Sequence, residues 1–296
     1  MNTKDLVVFN KNTGEIIDGI TILTPEDKLL QRQMINLKKQ KEINWISSGE
    51  ENFIFYLFNK HFDDLSSQSI VRLIYIATYI DYSNNILCYD NKVLLTKKDI
   101  KKLMLLSDSV FKRWFNEMIN KKYIIQKENN FYITDKYFRK GQLNKNLSDY
   151  KNSKYTRIYI NAVRKLYLTT KSTSHSVLGY IFQLIPFVNL QWNIVCNNPL
   201  EPDKDLINPL TIGEFCDIIG YDKKNAKRLI KIIASIKFEW KNKIQRFCSY
   251  IYDSDITNMM IFINPNIFYS GDNFSEVEVL GDRKSTRLNS SHMPVS

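Results

Sequence analysis

Apolar and polar positions along this chain run through the same order twice, from about residue 52 to 141 and again from about 156 to 271. Each round predicts apolar helices, a helix–turn–helix, a β-hairpin, and then an aromatic pair followed by glycine. In the first round Thr96 and Asp99 have the spacing of a capping box, and Ile100, Leu103 and Met104 form the buried stripe of the helix they open. Thr211, Glu214, Phe215, Ile218 and Ile219 repeat that arrangement. Short turns follow, Leu106-Ser107 and Gly220-Tyr221, each supplying a fresh N-cap candidate in Ser107 or Asp222.

A second helix is expected after each cap. In the first copy Val110, Phe111, Trp114, Phe115, Met118 and Ile119 would point inward, leaving Ser109, Lys112, Arg113, Asn116 and Asn120 outward. In the second copy Ala226, Leu229, Ile230, Ile233 and Ile236 go inward. Its outward positions Lys223, Lys224, Lys227, Arg228 and Lys231 share one side at about 100° per residue, with no acidic residue among them. Like charges spaced i,i+4 cost an isolated helix a few tenths of a kcal/mol per pair, so the row calls for an anionic partner. Phosphates meet that need, and the place of the row after a helix and tight turn points to duplex DNA.

Tyr123–Lys127 and Phe131–Thr134 alternate as strands around Glu128-Asn129-Asn130, and Phe247–Tyr252 and Met259–Ile263 do so around Asp253–Asn258. Neither tip is basic, so these hairpins read as structural or as protein contacts rather than as minor-groove readers. Phe238-Glu239-Trp240 with Lys241-Asn242-Lys243 offers a further strand and a basic tip. Ahead of each helix–turn–helix, Ser69–Tyr82 and Val177–Val188 predict core helices. Phe53–Phe62 and Ile158–Leu168 predict additional apolar helices through which the two copies can pair. The fold class is therefore mainly α with small β-hairpins, an α+β arrangement of tandem winged helix-turn-helix domains.

The division expected is 1–45 for an N-terminal hairpin and basic helix, 46–143 and 156–281 for the two winged domains, and 144–155 for a polar linker. Leu6–Asn10 and Glu15–Ile17 would form the N-terminal hairpin around Gly14. Pro25 starts a helix to about Glu42 whose Lys38, Lys39 and Lys41 suit the helix dipole. Asp282–His292, DRKSTRLNSSH, reads as a translated sequencing adaptor, so 282–296 is taken as an assembly artefact with the natural chain diverging after Gly281. Without Arg283, Lys284, Arg287 and Asp282 the net charge falls from +11 to +9 and stays basic, favouring an anionic partner.

Chemistry offers little against this reading. Cys88, Cys196, Cys216 and Cys248 are far apart with no histidine at ligand spacing, which predicts reduced packing residues rather than a disulfide or zinc site. No G-x-x-x-x-G-K-[ST] loop is present, and His61 and His175 do not pair as a metal site. Asp63-Asp64 reads as a helix-end pair. No cofactor or metal and no enzymatic activity are expected. Absence of an apolar signal core or membrane-length run predicts a cytoplasmic protein without a membrane partner.

Val8-Phe9-Asn10-Lys11-Asn12-Thr13-Gly14-Glu15-Ile16-Ile17, the stretch from Asn52 to Gly141, and above all Phe262-Ile263-Asn264-Pro265-Asn266-Ile267-Phe268-Tyr269-Ser270-Gly271 resemble RepL-type plasmid replication proteins of Gram-positive bacteria. The first copy departs at the last motif, with Thr134-Asp135-Lys136-Tyr137-Phe138-Arg139-Lys140-Gly141, and family members usually carry one unit where this chain carries two. The resemblance implies winged-helix DNA binding and a role in plasmid or phage replication. Expected DNA-contacting residues are Ser109, Lys112, Arg113, Asn116, Lys223, Lys224, Asn225, Lys227, Arg228 and Lys231. The partners are double-stranded DNA and replication proteins, met by a monomer with a pseudo-two-fold repeat or by a homodimer. A transcriptional regulator on the same fold and a protein-interaction adaptor are the alternatives.

Overall fold

The computed structural model describes residues 10–14, 52–57, 61–82, 84–141, 155–240, 242–252 and 259–271, with single positions at 25, 28, 29, 32, 33, 274, 277, 286 and 287. Residues 1–50 form one compact unit and residues 51–296 another. In the first unit Gly14, at φ +74°, donates its N–H to the Asn10 carbonyl at 2.8 Å, closing the tight turn expected there. Pro25, Lys28, Leu29, Arg32 and Gln33 are helical. The strands expected on either side of that turn, the lysines near Glu42 and the linker from 144 to 154 lie outside the described residues.

The first copy opens with β1 (Phe53–Leu57) and α1 (Ser67–Ala77). Ser66 caps α1 by accepting from the Ser69 N–H. Every residue from Ser69 to Ala77 is buried, as for a helix covered on all sides. α2 (Lys97–Met104) and α3 (Asp108–Asn120) follow, then the hairpin of β2 (Ile124–Lys127) and β3 (Asn130–Ile133), and the short β4 (Phe138–Arg139). Glu128 takes a left-handed φ of 52° in the tight hairpin connection.

The second copy follows the same order with one added helix, α4, that has no counterpart among the described residues of the first: β5 (Tyr155–Tyr159), α4 (Ile160–Thr169), α5 (His175–Gln183), α6 (Ile212–Ile219) and α7 (Ala226–Ser235). An inserted hairpin, β6 (Lys237–Trp240) with β7 (Lys243–Arg246), precedes β8 (Cys248–Tyr252), β9 (Met259–Ile263) and β10 (Phe268–Tyr269). β11 (Thr286–Arg287) runs parallel to β8. Equivalent hydrogen bonds fix the correspondence between copies. Thr134 N–H donates to the Tyr123 carbonyl as Asn264 N–H donates to that of Phe247. Asn85 and Asn193, both at positive φ, donate Nδ2 to the carbonyls of Phe138 (2.7 Å) and Phe268 (2.8 Å).

Two expectations are corrected. Over Phe53–Phe62, where a helix is expected, Phe53–Leu57 is a strand and 58–60 lie outside the described residues; the segment Ile158–Leu168 is strand up to Tyr159 before α4 begins. Five consecutive β-branched or aromatic-rich apolar residues are ambiguous by periodicity, and each strand finds its partner in the other copy. The core helices also stop earlier than predicted, at Ala77 and at Gln183; Pro186, which has no N–H to give, sits in the 3₁₀ turn after α5.

Four strands, two from each copy, assemble into one sheet in the order β10-β5-β1-β4. At its centre β1 and β5 pair antiparallel with Phe55 opposite Arg157. The step from Phe55 to Arg157 also carries Phe53 to Tyr155 and Leu57 to Tyr159, and these are the residues that face Leu57 and Phe53. Such a self-complementary register is the signature of a two-fold, isologous pairing, here inside one chain. The helices obey the same symmetry, since α1 packs on α5 so closely that a Cβ on Gly179 would fall 1.9 Å from the Ser67 carbonyl oxygen.

Candidate nucleic-acid interface

Both helix–turn–helix segments are set by the same local chemistry. Thr96 Oγ1 accepts from Asp99 N–H (3.2 Å) while the Asp99 carboxylate accepts from Thr96 N–H (2.9 Å). Thr211 and Glu214 form the same reciprocal cap at 3.2 and 2.8 Å. Donation from the Thr96 hydroxyl and then its N–H lowers the pKa of the Asp99 carboxyl, and donation from the Thr211 N–H and then its hydroxyl lowers that of Glu214. Each capped helix ends in a left-handed residue, Leu105 at φ 53° and Gly220 at φ 66°, which turns the chain into the next helix.

α3 buries Phe111, Trp114, Phe115 and Met118, and α7 buries Ala226, Leu229, Ile230 and Ile233. Trp114 Nε1 donates to the Ser69 carbonyl at 3.4 Å and Glu117 accepts from Ser69 Oγ at 2.8 Å, so α3 is locked against α1. The apolar faces fix which side chains remain outside. Ser109, Lys112, Arg113 and Asn116 are all exposed on α3, and Lys223, Lys224, Asn225, Lys227, Arg228 and Lys231 are all exposed in the second copy.

The two sets differ in what holds them. The second helix of copy two does not begin at Asp222 as expected. Asp222 caps a 3₁₀ turn, Lys223–Asn225, and α7 starts at Ala226, so only Lys227, Arg228 and Lys231 belong to the α-helix proper. Lys223 pairs with Asp217 at 2.7 Å, and Asn225 Nδ2 donates to the Asp222 carboxylate at 3.2 Å. Ser107 occupies the N-cap of α3 but its side chain makes no capping bond. Among the described residues no ion pair engages Lys112, Arg113, Lys224, Lys227, Arg228 or Lys231.

Lys112-Arg113 and Lys227-Arg228 both stand seven and eight residues past the left-handed caps Leu105 and Gly220, beside equivalent buried stripes, although α7 begins three residues later than α3 by that count. Around this shared dyad the copies diverge: Ser109 corresponds to Lys224, and Asn116 to Lys231. Reading each helix alone misses this correspondence; counting from Leu105 and Gly220 reveals it.

The inserted hairpin is anchored rather than free. Phe238 and Trp240 are buried, β6 packs on α4, and Lys165 pairs with Glu239 at 3.2 Å. The turn that carries the Asn264-Pro265-Asn266 motif fastens it, because Asn264 Nδ2 and Asn266 Nδ2 both donate to Gln245 Oε1, at 3.1 and 3.0 Å. The motif thus has a structural task at the base of the hairpin. Lys243 and Ile244 are exposed beyond it, while Lys241 lies outside the described residues.

All four cysteines are unpaired and buried, and burial raises the Cys196 thiol to about 11 and the Cys248 thiol to about 12. Among the described residues no group of three or more His, Cys, Asp or Glu side chains is placed to hold a metal ion, and no helix is long and apolar enough to cross a membrane. No family model, curated protein or solved structure matches this chain.

Proposed function

We propose that this chain is a non-enzymatic protein that binds double-stranded DNA through two winged helix-turn-helix copies, acting in plasmid or phage replication as an initiator or replication-control protein. One observation carries the reading: Lys224, in the 3₁₀ turn, and Lys227, Arg228 and Lys231, on α7, stand exposed and without ion-pair partners among the described residues, directly after a capped helix and tight turn. A row of unneutralised cations at that place fits phosphate contacts, with arginine and asparagine available for guanine and adenine edges. The resemblance to RepL-type proteins supplies the replication setting. A transcriptional regulator would use the same face, and the genomic position of the bound site separates the two.

A protein-interaction adaptor is the second reading. It draws on Leu200 and Leu206, exposed by 58% and 64% on a loop that also carries Glu201, Asp203 and Asp205. Gel shifts with fragments of the source replicon across a salt series test the choice. DNA binding predicts one preferred fragment, with affinity and salt slope both reduced by Lys227→Ala with Arg228→Ala. No shift at low salt overturns the DNA reading and favours the adaptor.

A further inference from the structure

We infer that a single chain recognises an imperfect inverted repeat, with the protein's internal two-fold lying on the dyad of the DNA and the Lys-Arg dyads reading an element common to both half-sites. This rests on the DNA-binding reading above and specifies its target. Three independent features carry it. The β1–β5 register is self-complementary about Phe55 and Arg157, α1 packs on α5, and Asn85 and Asn193 make matching bonds to Phe138 and Phe268. The halves of the chain therefore stand to each other as two subunits of a symmetric dimer, and that symmetry relates α3 to α7.

Symmetric proteins meet DNA on sites that mirror their own two-fold, with half-site centres about 10 bp apart or a multiple of it. Here both halves present Lys then Arg at equal positions, Lys112-Arg113 and Lys227-Arg228, all four exposed. An arginine eight residues past each left-handed cap, beside the same buried stripe, selects the same base pair in each half-site, for which guanine is the chemical match. On either side of the dyad the faces are unlike. Ser109 and Asn116 on α3 are neutral hydrogen-bonding groups suited to base edges, whereas Lys224 and Lys231 are cations suited to phosphates. The repeat is consequently imperfect, with more sequence information in the half-site met by α3 and more salt-sensitive affinity in the half-site met by α7.

Selection of binding sites from a random duplex library with the full chain, followed by native mass spectrometry of the complex, tests this. The expected site has two inverted half-sites sharing one base pair, bound by one chain per duplex. Arg113→Ala should relax preference for that pair in one half-site by about tenfold, and Arg228→Ala should do the same in the other. Asn116→Ala should relax a further position in the first half-site alone. Two chains per duplex, a direct repeat, or a lone half-site would overturn the inference while leaving DNA binding intact. Failure to enrich any duplex, with no retention at low salt, would overturn the DNA reading itself.

Discussion

Tyr167 of α4 lies flat on Tyr75 of α1, with ring centroids 3.9 Å apart and 9° between the planes. Its hydroxyl donates to the Met104 carbonyl at 3.1 Å, so a helix belonging to the second copy grips two helices of the first. Arg164, on the same helix, reaches the Asp90 carboxylate through both terminal nitrogens at 2.7 and 3.1 Å and covers the Tyr79 ring. Tyr167→Ala should cost about 3–5 kcal/mol in urea unfolding, the range for emptying a buried aromatic site. Tyr167→Phe should cost about 1–2 kcal/mol, since the hydroxyl bonds the Met104 carbonyl and also faces the buried Arg72. Equal losses for the two variants would show that the ring stack contributes nothing.

Close approach of α1 and α5 gives a second test. Alanine at Gly179 would drive a methyl group into the Ser67 backbone, and backbone has little room to yield. Gly179→Ala should therefore destabilise by about 1–3 kcal/mol or more. Gly213 is the internal control: on α6 its nearest neighbour to a new Cβ is Thr211 Oγ1 at 3.9 Å. Gly213→Ala should be neutral or stabilising by up to about 1 kcal/mol through helix propensity. The melting temperature should fall for Gly179→Ala and hold or rise for Gly213→Ala.

Much of this was legible in local sequence where local chemistry decides. The capping boxes at Thr96 and Thr211 need only three residues' separation, and both formed as read. Periodicity likewise placed Phe111, Trp114, Phe115 and Met118 inside and Lys112 and Arg113 outside. What escaped was decided at long range. Phe53–Leu57 looks equally apolar as helix or strand until Tyr155–Tyr159 is known to lie beside it. The α4 grip on Tyr75 and Met104 leaves no trace in spacing, and the 3₁₀ start at Lys223 depends on Asp222 accepting from Lys224 N–H at 2.9 Å. The pairing of Lys223 with Asp217 was equally invisible, since the acid lies on the preceding helix.

The left-handed caps offer a third prediction. Gly220 has no atom within 4 Å of a built Cβ, so alanine there would meet backbone strain alone. Gly220→Ala should cost about 1–2 kcal/mol. Leu105 adopts the same conformation with its side chain 72% exposed and so carries that strain already. Leu105→Gly should relieve it, offset in part by about 0.5–1 kcal/mol of added chain entropy, for a small net gain measurable in chemical denaturation.

His175, the first residue of α5, supplies the pH dependence. It is buried, and Nε2 lies 3.2 Å from the Tyr167 carbonyl and 3.0 Å from that of Thr170, while Nδ1 has no hydrogen-bond partner among the described residues. Burial is the main cause that lowers its pKa below the usual 6.5, with the charge of Arg72 acting the same way and the two carbonyls opposing. The neutral ring with its proton on Nε2 fits this surrounding, donating toward both carbonyls. Because the folded value lies below the unfolded one, the unfolded chain takes up the proton first as pH falls. Stability is then fully present above about 6.5 and declines as pH drops toward the depressed folded value. His175→Gln removes the titration and should flatten the fall in melting temperature between about pH 7.5 and 5.5 relative to the unaltered chain. A slope unchanged by the substitution would mean that other groups carry the acid sensitivity.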